Sequence, residues 1–486
     1  MVQPVPEDAS TFESSQVLEQ IQQLPEFNQL IAGFEEMEEL EYQGQQQQKE
    51  DKEEEKKLPP QCRKSEIYIH SLQDLNNIID CETIVGDIII SEFNYPIITL
   101  TKLNTLKGNL TIFKSPELVR IESPHLTTID GWFKLFELTS LALISFPSLK
   151  KVQVLCWEIL PILSNVQFHN EIQGIESITI SDTSLTGFSG FLTNELKRLD
   201  INNNRFMDNV ECNVETISEY FHLSSNSKEM KVNLPNLKNV KEISIKNVDI
   251  LQLENLEKVE NSMKLQDNYF KSLKFPKLKL VGGTLNLAKN SKLVSIDTPQ
   301  LEEIAGGLMI INNAKISKVN SFPNLKIIGG ALEVKGAIDD ISLKEIKLIK
   351  GSAIVASTSP AFDCGKWAKS EILLVVRGGK IECTNANNEK TTARTRENGG
   401  KQQNNGGGGS GGGGQNGRGD KSGSAQSKKN NNGTSSGLKQ AGGNGGGGET
   451  STNGASMRIP ALQPSISLTR NIVGLILVAW LCLDQL

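Results

Sequence analysis

Histidine is scarce in this chain of 486 residues, and no Cys-x-x-Cys occurs. The four copies, His70, His125, His169 and His222, share no spacing that would build a metal centre or a catalytic triad. The net charge of −6 is concentrated in the N-terminal arm, so no basic face invites nucleic acid. The apolar run from Ile472 to Leu483 is about twelve residues long, well short of the roughly 20 that a spanning helix needs. Paired carboxylates with a catalytic look are also missing. Glu302-Glu303 and Asp339-Asp340 fall where solvated turns are expected, and hydrolysis of a glycosidic bond needs two carboxylates at a defined separation. Residues 1–30 lack the charged start and apolar core of a secretory leader. Set against the C-terminal signal, that absence points to a missing upstream exon or a misplaced start, the other reading being a fortuitous C-terminal signal.

What is present divides into zones. Residues 1–61 form an acidic, Gln-rich arm in which the charge run Lys49–Lys57 reads as solvated and disordered. Val17, Ile21 and Leu24, then Phe27, Leu30, Ile31, Phe34 and Met37, give it two weak amphipathic turns broken at Pro25. Residues 62–390 are patterned and read as the folded body. Residues 391–454 are a Gly/Asn/Ser-rich tract with too little apolar surface to offset its chain entropy, hence a flexible stalk. Its Arg418-Gly419-Asp420 is expected by chance in such a composition and carries no weight. Residues 455–486 hold a polar spacer and the terminal apolar run. Small residues at Asn453 and Gly454, a spacer and an apolar tail are what a transamidase reads when it exchanges the tail for a GPI lipid.

One phrase recurs in the body, roughly Pro-x-Leu-x-x-Ile/Val-x-Gly-x-Leu-x-Ile. Leu278, Leu301 and Leu325 anchor three late copies spaced by 23 and 24 residues, and Gly86, Gly108 and Gly131 anchor earlier ones spaced by 22 and 23. A period in this range marks a solenoid, whose coils bury their apolar faces only by stacking. Alternation such as Leu285-x-Leu287 makes short strands with one face inward. Glycine ahead of a strand serves a turn where a side chain would clash or positive φ is required. Asn202-Asn203-Asn204 reads either as a turn whose amides bond the adjacent coil or as a surface loop. Between Cys156 and about His222 the phrase blurs, and an irregular coil or an insertion is expected there.

Seven cysteines are present, and Cys482 lies in the tail that GPI attachment would remove. The remaining six suit three disulfides in an oxidising compartment. Cys62 with Cys81 and Cys364 with Cys383 fall at the two ends of the repeats, where caps belong, and Cys156 with Cys212 would staple the irregular stretch. Sequons at Asn109 and Asn432 are glycosylation candidates. Trp132, Trp157 and Trp367 could stack on sugar rings if exposed, but single aromatics more often pack in the body.

Four stretches carry a family resemblance: Cys81–Ile88, the recurring Pro-x-Leu phrase, Leu199–Asn204, and Phe362-Asp363-Cys364 with Cys383. Over about Cys62 to Cys383 the chain resembles the fungal GPI-anchored cell-wall proteins with receptor L-domain-like repeats, the extracellular-mutant and sporulation-specific group of yeasts. The resemblance implies a mostly β, right-handed β-solenoid with disulfide-stapled caps between disordered segments. It implies a cell-surface glycoprotein, without cofactor, held to the plasma membrane by a GPI lipid. Its role would be non-catalytic wall organisation, in the vegetative or the ascospore wall. A ligand-binding ectodomain that takes cell-wall glucan or a wall protein along its sheet is the other expectation. The acidic Gln-rich start, the leaderless N-terminus and the few sequons depart from the family pattern.

Overall fold

The computed structural model describes residues 42–43, 46–47, 49 and 52–394. Alternation decides which side of each strand faces in. In the strand Leu285–Ala288, Leu285 and Leu287 are buried while Asn286 points outward. One coil later Leu308–Ile311 repeats the pattern, and the two strands pair in parallel, Leu285 with Leu308 and Leu287 with Ile310. Such pairing runs unbroken from Glu66–Ile69 to Lys380–Thr384. The result is a mostly β solenoid of about 13 turns. Shorter strands form further rows on the same coils, among them Thr83–Val85 with Thr105–Lys107, and Ile97–Thr99 with Arg120–Glu122.

The inward residues fuse into one core along the axis, in which Phe133 stacks on Phe146 at 5.1 Å and meets Trp157 edge-on at 5.6 Å. Each inward Leu, Ile or Phe contributes about 1.5–3 kcal/mol. The blurred stretch holds no insertion. Leu155, Ile178, Leu199 and Phe221 pair in succession as elsewhere, with one register shift between Leu196 and Arg198. Its inward positions are kept although Pro-x-Leu occurs only once there, at Pro161-Ile162-Leu163, so the period fades from the sequence while the coil persists.

Coils turn at a recurring corner occupied by a left-handed, non-glycine residue. Glu92, Lys114, Glu137, Ile159, Asp182, Asn203, Ser225, Asn247, Asp267, Lys289 and Asn312 have φ between 48° and 61°. That conformation costs a non-glycine residue about 1–2 kcal/mol. The next residue turns inward and offsets the strain. Asn204, Asn226, Asn268, Asn290 and Asn313 are buried there as a ladder, each amide nitrogen donating to a backbone carbonyl of the preceding coil. The Asn268 and Asn290 backbone N–H groups in turn donate to Asn290 Oδ1 and Asn313 Oδ1 at 3.0 and 2.9 Å. In Asn202-Asn203-Asn204, then, Asn202 lies on the sheet, Asn203 is the corner and Asn204 is a rung of the ladder. The repeat glycines serve a different need. A Cβ on Gly282 would lie 1.9 Å from Glu260 O, and one on Gly329 would lie 2.0 Å from Ala305 O, so coils touch backbone to backbone there.

At the N-terminal end a helix, Leu72–Asn76, is capped by Ser71 in a capping box with Asp74, and Cys62 is joined to Cys81. At the other end Cys364 is joined to Cys383, and an antiparallel strand, Lys390–Arg394, covers Lys380–Thr384. The folded body therefore runs past residue 390. Two expectations are corrected. Cys156 and Cys212 form no disulfide. Cys156 is in register with Thr179 and, a coil further, with Asp200, which leaves Cys212 two coils away at the end of another strand row. Cystine geometry cannot span that distance. The charge run is also not all disordered, because residues 52–57 are helical and Glu55 pairs with Lys107 at 3.2 Å. The amphipathic turns before it, Asn432, Asn453, Gly454, Cys482 and the rest of the stalk and tail lie outside the described residues.

Candidate functional site: the outward face of the main sheet

Each long strand sends alternate side chains outward, so equivalent residues of successive coils line up in rows. Near the middle of the sheet these rows are polar and interlinked. Asp200 Oδ1 lies 3.0 Å from His222 Nδ1 and accepts from Asn202 Nδ2 at 2.9 Å, while Tyr220 donates to Asp200 Oδ2 at 3.5 Å. Ser181 donates to Asn202 Oδ1 at 2.9 Å. Arg198 reaches Glu219 at 3.1 Å and lies over the Tyr220 ring at 4.7 Å, yet its Nε has no hydrogen-bond partner. One coil row away, burial pushes the Glu158 carboxyl above its ordinary range. Lys134 opposes that shift, and the nearby Asp200 and Asp182 add to it.

Toward the N-terminal end the face becomes apolar, with Ile89, Phe113, Trp132 and Phe136 half-buried on it. The Trp132 indole N–H donates to Thr111 Oγ1 at 2.8 Å. Toward the C-terminal end Met309, Ile311, Ile354 and Ala356 occupy the same rows. The arrangement is an open surface that can hold an extended partner.

The other residues singled out from sequence are dispersed. Trp157 and Trp367 are buried; His125 and His169 are exposed and apart from the polar centre. His70 Nδ1 lies 2.8 Å from Ser91 O. Asp339 accepts from Ser359 Oγ at 2.5 Å in a surface turn. No cluster of three or more His, Cys, Asp or Glu disposed to hold a metal occurs among the described residues. Cys156 is buried on the outward face, and the Cys212 thiol, raised in pKa by burial, lies 3.9 Å from Phe191 O. Asn109 also lies on the outward face. Its Nδ2 donates to Asp87 Oδ1 at 2.8 Å and its Oδ1 accepts from Trp132 N at 2.9 Å, which ties the carboxamide between neighbouring coils. The polar centre itself went unread in the sequence. Its signal is polar alternation, Arg198-x-Asp200-x-Asn202 and Tyr220-x-His222-x-Ser224, at one-coil spacing.

A long parallel solenoid, closed by cystines and presenting one open sheet face, defines a class of extracellular repeat protein. No protein-family model matches the chain, and no solved structure matches it. Among curated proteins it is 38% identical over 334 residues to Sporulation-specific protein 22 of Saccharomyces cerevisiae, covering 68% of this chain and 72% of that one. It is 32% identical over 337 residues to Cell surface GPI-anchored protein ECM33 of Candida albicans, covering 69% and 81%. Against Cell wall mannoprotein PST1 of Saccharomyces cerevisiae the identity is 31% over 315 residues, covering 64% and 70%. The chain belongs to this family of fungal cell-wall and GPI-anchored surface proteins, and its place is the cell surface or cell wall.

Proposed function

We propose that the chain is a non-catalytic, GPI-anchored glycoprotein that organises the fungal wall and maintains its integrity. The observation that carries this reading is the uninterrupted sheet face, an open surface along about 13 turns. Asn453 or Gly454 takes the lipid, and Asn432 in the stalk takes a glycan. Deleting the gene is expected to sensitise cells to wall stress with no loss of any glucan hydrolase or transferase activity. A purified chain that cleaves glucan would reject the proposal. Phospholipase treatment is expected to release the protein from membranes, and its retention would remove the lipid anchor.

A second reading places the protein in the spore wall. Identity to Sporulation-specific proteins 22 and 2 is 38% and 34%, against 32% to the Candida albicans ECM33 protein, which favours this branch. Expression confined to sporulating cells, with defective spore walls on deletion, is the expected outcome. Steady expression in growing cells would return the role to the vegetative wall.

A further inference from the structure

Charge is polarised along the solenoid. Residues 62–229 carry 13 Lys and Arg against 21 Asp and Glu, a net −8, whereas residues 230–394 carry 25 against 17, a net +8. Two copies side by side and parallel would set like against like; antiparallel, each half meets its opposite. The outward face adds a finer match. Take a two-fold axis along the strand Thr216–Ser224, midway in the stack, and count outward one strand at a time. Glu195–Asn202 then faces Ile243–Ile245, Ser177–Thr183 faces Met263–Gln266, and Lys151–Leu160 faces Leu285–Ala288. Next, Thr128–Phe136 faces Leu308–Ile311, and two strands further out Asp87–Ser91 faces Ala353–Ser357.

Row for row, this operation sets Arg198 against Glu242, and Lys246 against Asn202 beside Asp200. It sets Trp132 over Gly307, where no side chain competes for the space, Phe136 against Ile311, and Ile89 against Ile354. Of the three buried side-chain polar atoms without hydrogen-bond partners among the described residues, two, Arg198 Nε and Asn286 Oδ1, belong to residues of these outward rows. Arg198 and Tyr220 stand at the centre, where interfaces concentrate Arg and Tyr anchors. About 13 turns at about 4.8 Å, with strands about 17 Å long, offer roughly 1,000 Å² per partner, above the roughly 800 Å² of a standard interface.

We propose that the outward sheet face is an isologous dimer interface, on which a second copy of this chain docks antiparallel about Thr216–Ser224. The pairing uses the face on which the wall reading rests, yet the two fail separately: a monomer could organise the wall, and a dimer could fail to. The test uses the purified full chain carrying C156A, C212A and C482S, with bis-maleimide cross-linking of single and paired cysteine variants on that background. S224C and the pair T179C/K264C are expected to cross-link between copies, while T179C/I89C is not. T179C alone cross-linking would mean a parallel pair and would overturn the proposal. In sedimentation, R198E and E242R are each expected to weaken dimerisation at least about tenfold and the double swap to restore it. E242R alters an exposed residue, and a thermal melt checks that both variants fold. A chain that stays monomeric at all concentrations overturns the proposal, as does a monomer that binds insoluble glucan through this face. Glycopeptide mapping adds a further arm: the interface requires Asn109 to be unmodified, and a glycan found there overturns it.

Discussion

Asn290 is fully buried, and its carboxamide accepts from Asn268 and donates to Leu265 O, so one side chain serves two coils. Removing it strands a backbone N–H and a carbonyl in the core, and an unsatisfied buried group costs about 1–3 kcal/mol. Asn290→Ala is expected to lower unfolding stability by about 2–4 kcal/mol in urea titration, more than the same change at exposed Asn312, the neighbouring corner. Glu158 makes the opposite kind of prediction. Burial raises its folded pKa, with Asp200 and Asp182 adding to it against Lys134. The folded state therefore holds the proton to higher pH than the unfolded chain does. Stability from this group is complete below the unfolded carboxylate pKa and is lost as pH rises through the folded value. Glu158→Gln is expected to raise the melting temperature at pH 7, with little effect near pH 4. An equal shift at both pH values would show that the carboxylate is not the cause.

A coil is the natural element here, and its joints respond differently to the same substitution. A Cβ at Gly282 meets backbone oxygen at 1.9 Å, whereas at Gly187 the nearest atom is 3.7 Å away. Gly282→Ala is expected to destabilise by about 1–3 kcal/mol through overpacking, and Gly187→Ala by much less, measured in the same denaturant series. Each end cystine closes a 19-residue separation, and its loss is expected to cost about 3 kcal/mol. In the C364S/C383S variant, hydrogen exchange should quicken first in Lys380–Thr384 and its covering strand. These elements were open to reading because repetition makes them so: Leu278, Leu301 and Leu325 report the period, and the paired cysteines report the ends. The corner was hidden because its left-handed residue varies freely among Glu, Lys, Asp, Asn, Ser and Ile. Strain there is offset by the buried residue after it rather than by a glycine that would stand out. The polar centre was hidden because Asp200 and His222 meet only through coil register.

Along the whole molecule the strand pairing joins each coil only to its neighbours, while the Lys292–Asp249 ion pair at 3.4 Å reaches one coil further, so stability should add nearly coil by coil and register should be the quantity preserved. Several cues set that register together. Asn268 leads to Asn290 and then Asn313, and along one edge Glu215 pairs with Lys238 at 2.7 Å and Glu302 with Lys326 at 2.9 Å. Exposed pairs of this kind stabilise by only about 0–1 kcal/mol each, but a slipped coil would set like charges together. Since Leu308 pairs directly on Leu285, deleting Leu285–Gly307 removes one whole coil and lets Leu308 take the place of Leu285 on Met263. Asn313 then succeeds Asn290 beneath Asn268. The shortened chain is expected to keep its β circular dichroism and a cooperative melt at somewhat lower temperature. Deleting only Leu285–Ser295 moves every later inward residue off the core and is expected to abolish the folded signal. If both deletions fold equally well, or neither folds, coil register is not what specifies this solenoid. The whole-coil deletion also shortens one half of the outward face and not the other, so Trp132 no longer finds Gly307 opposite. A chain that keeps its fold and loses its dimer would thus separate the two properties that the same rows of residues encode.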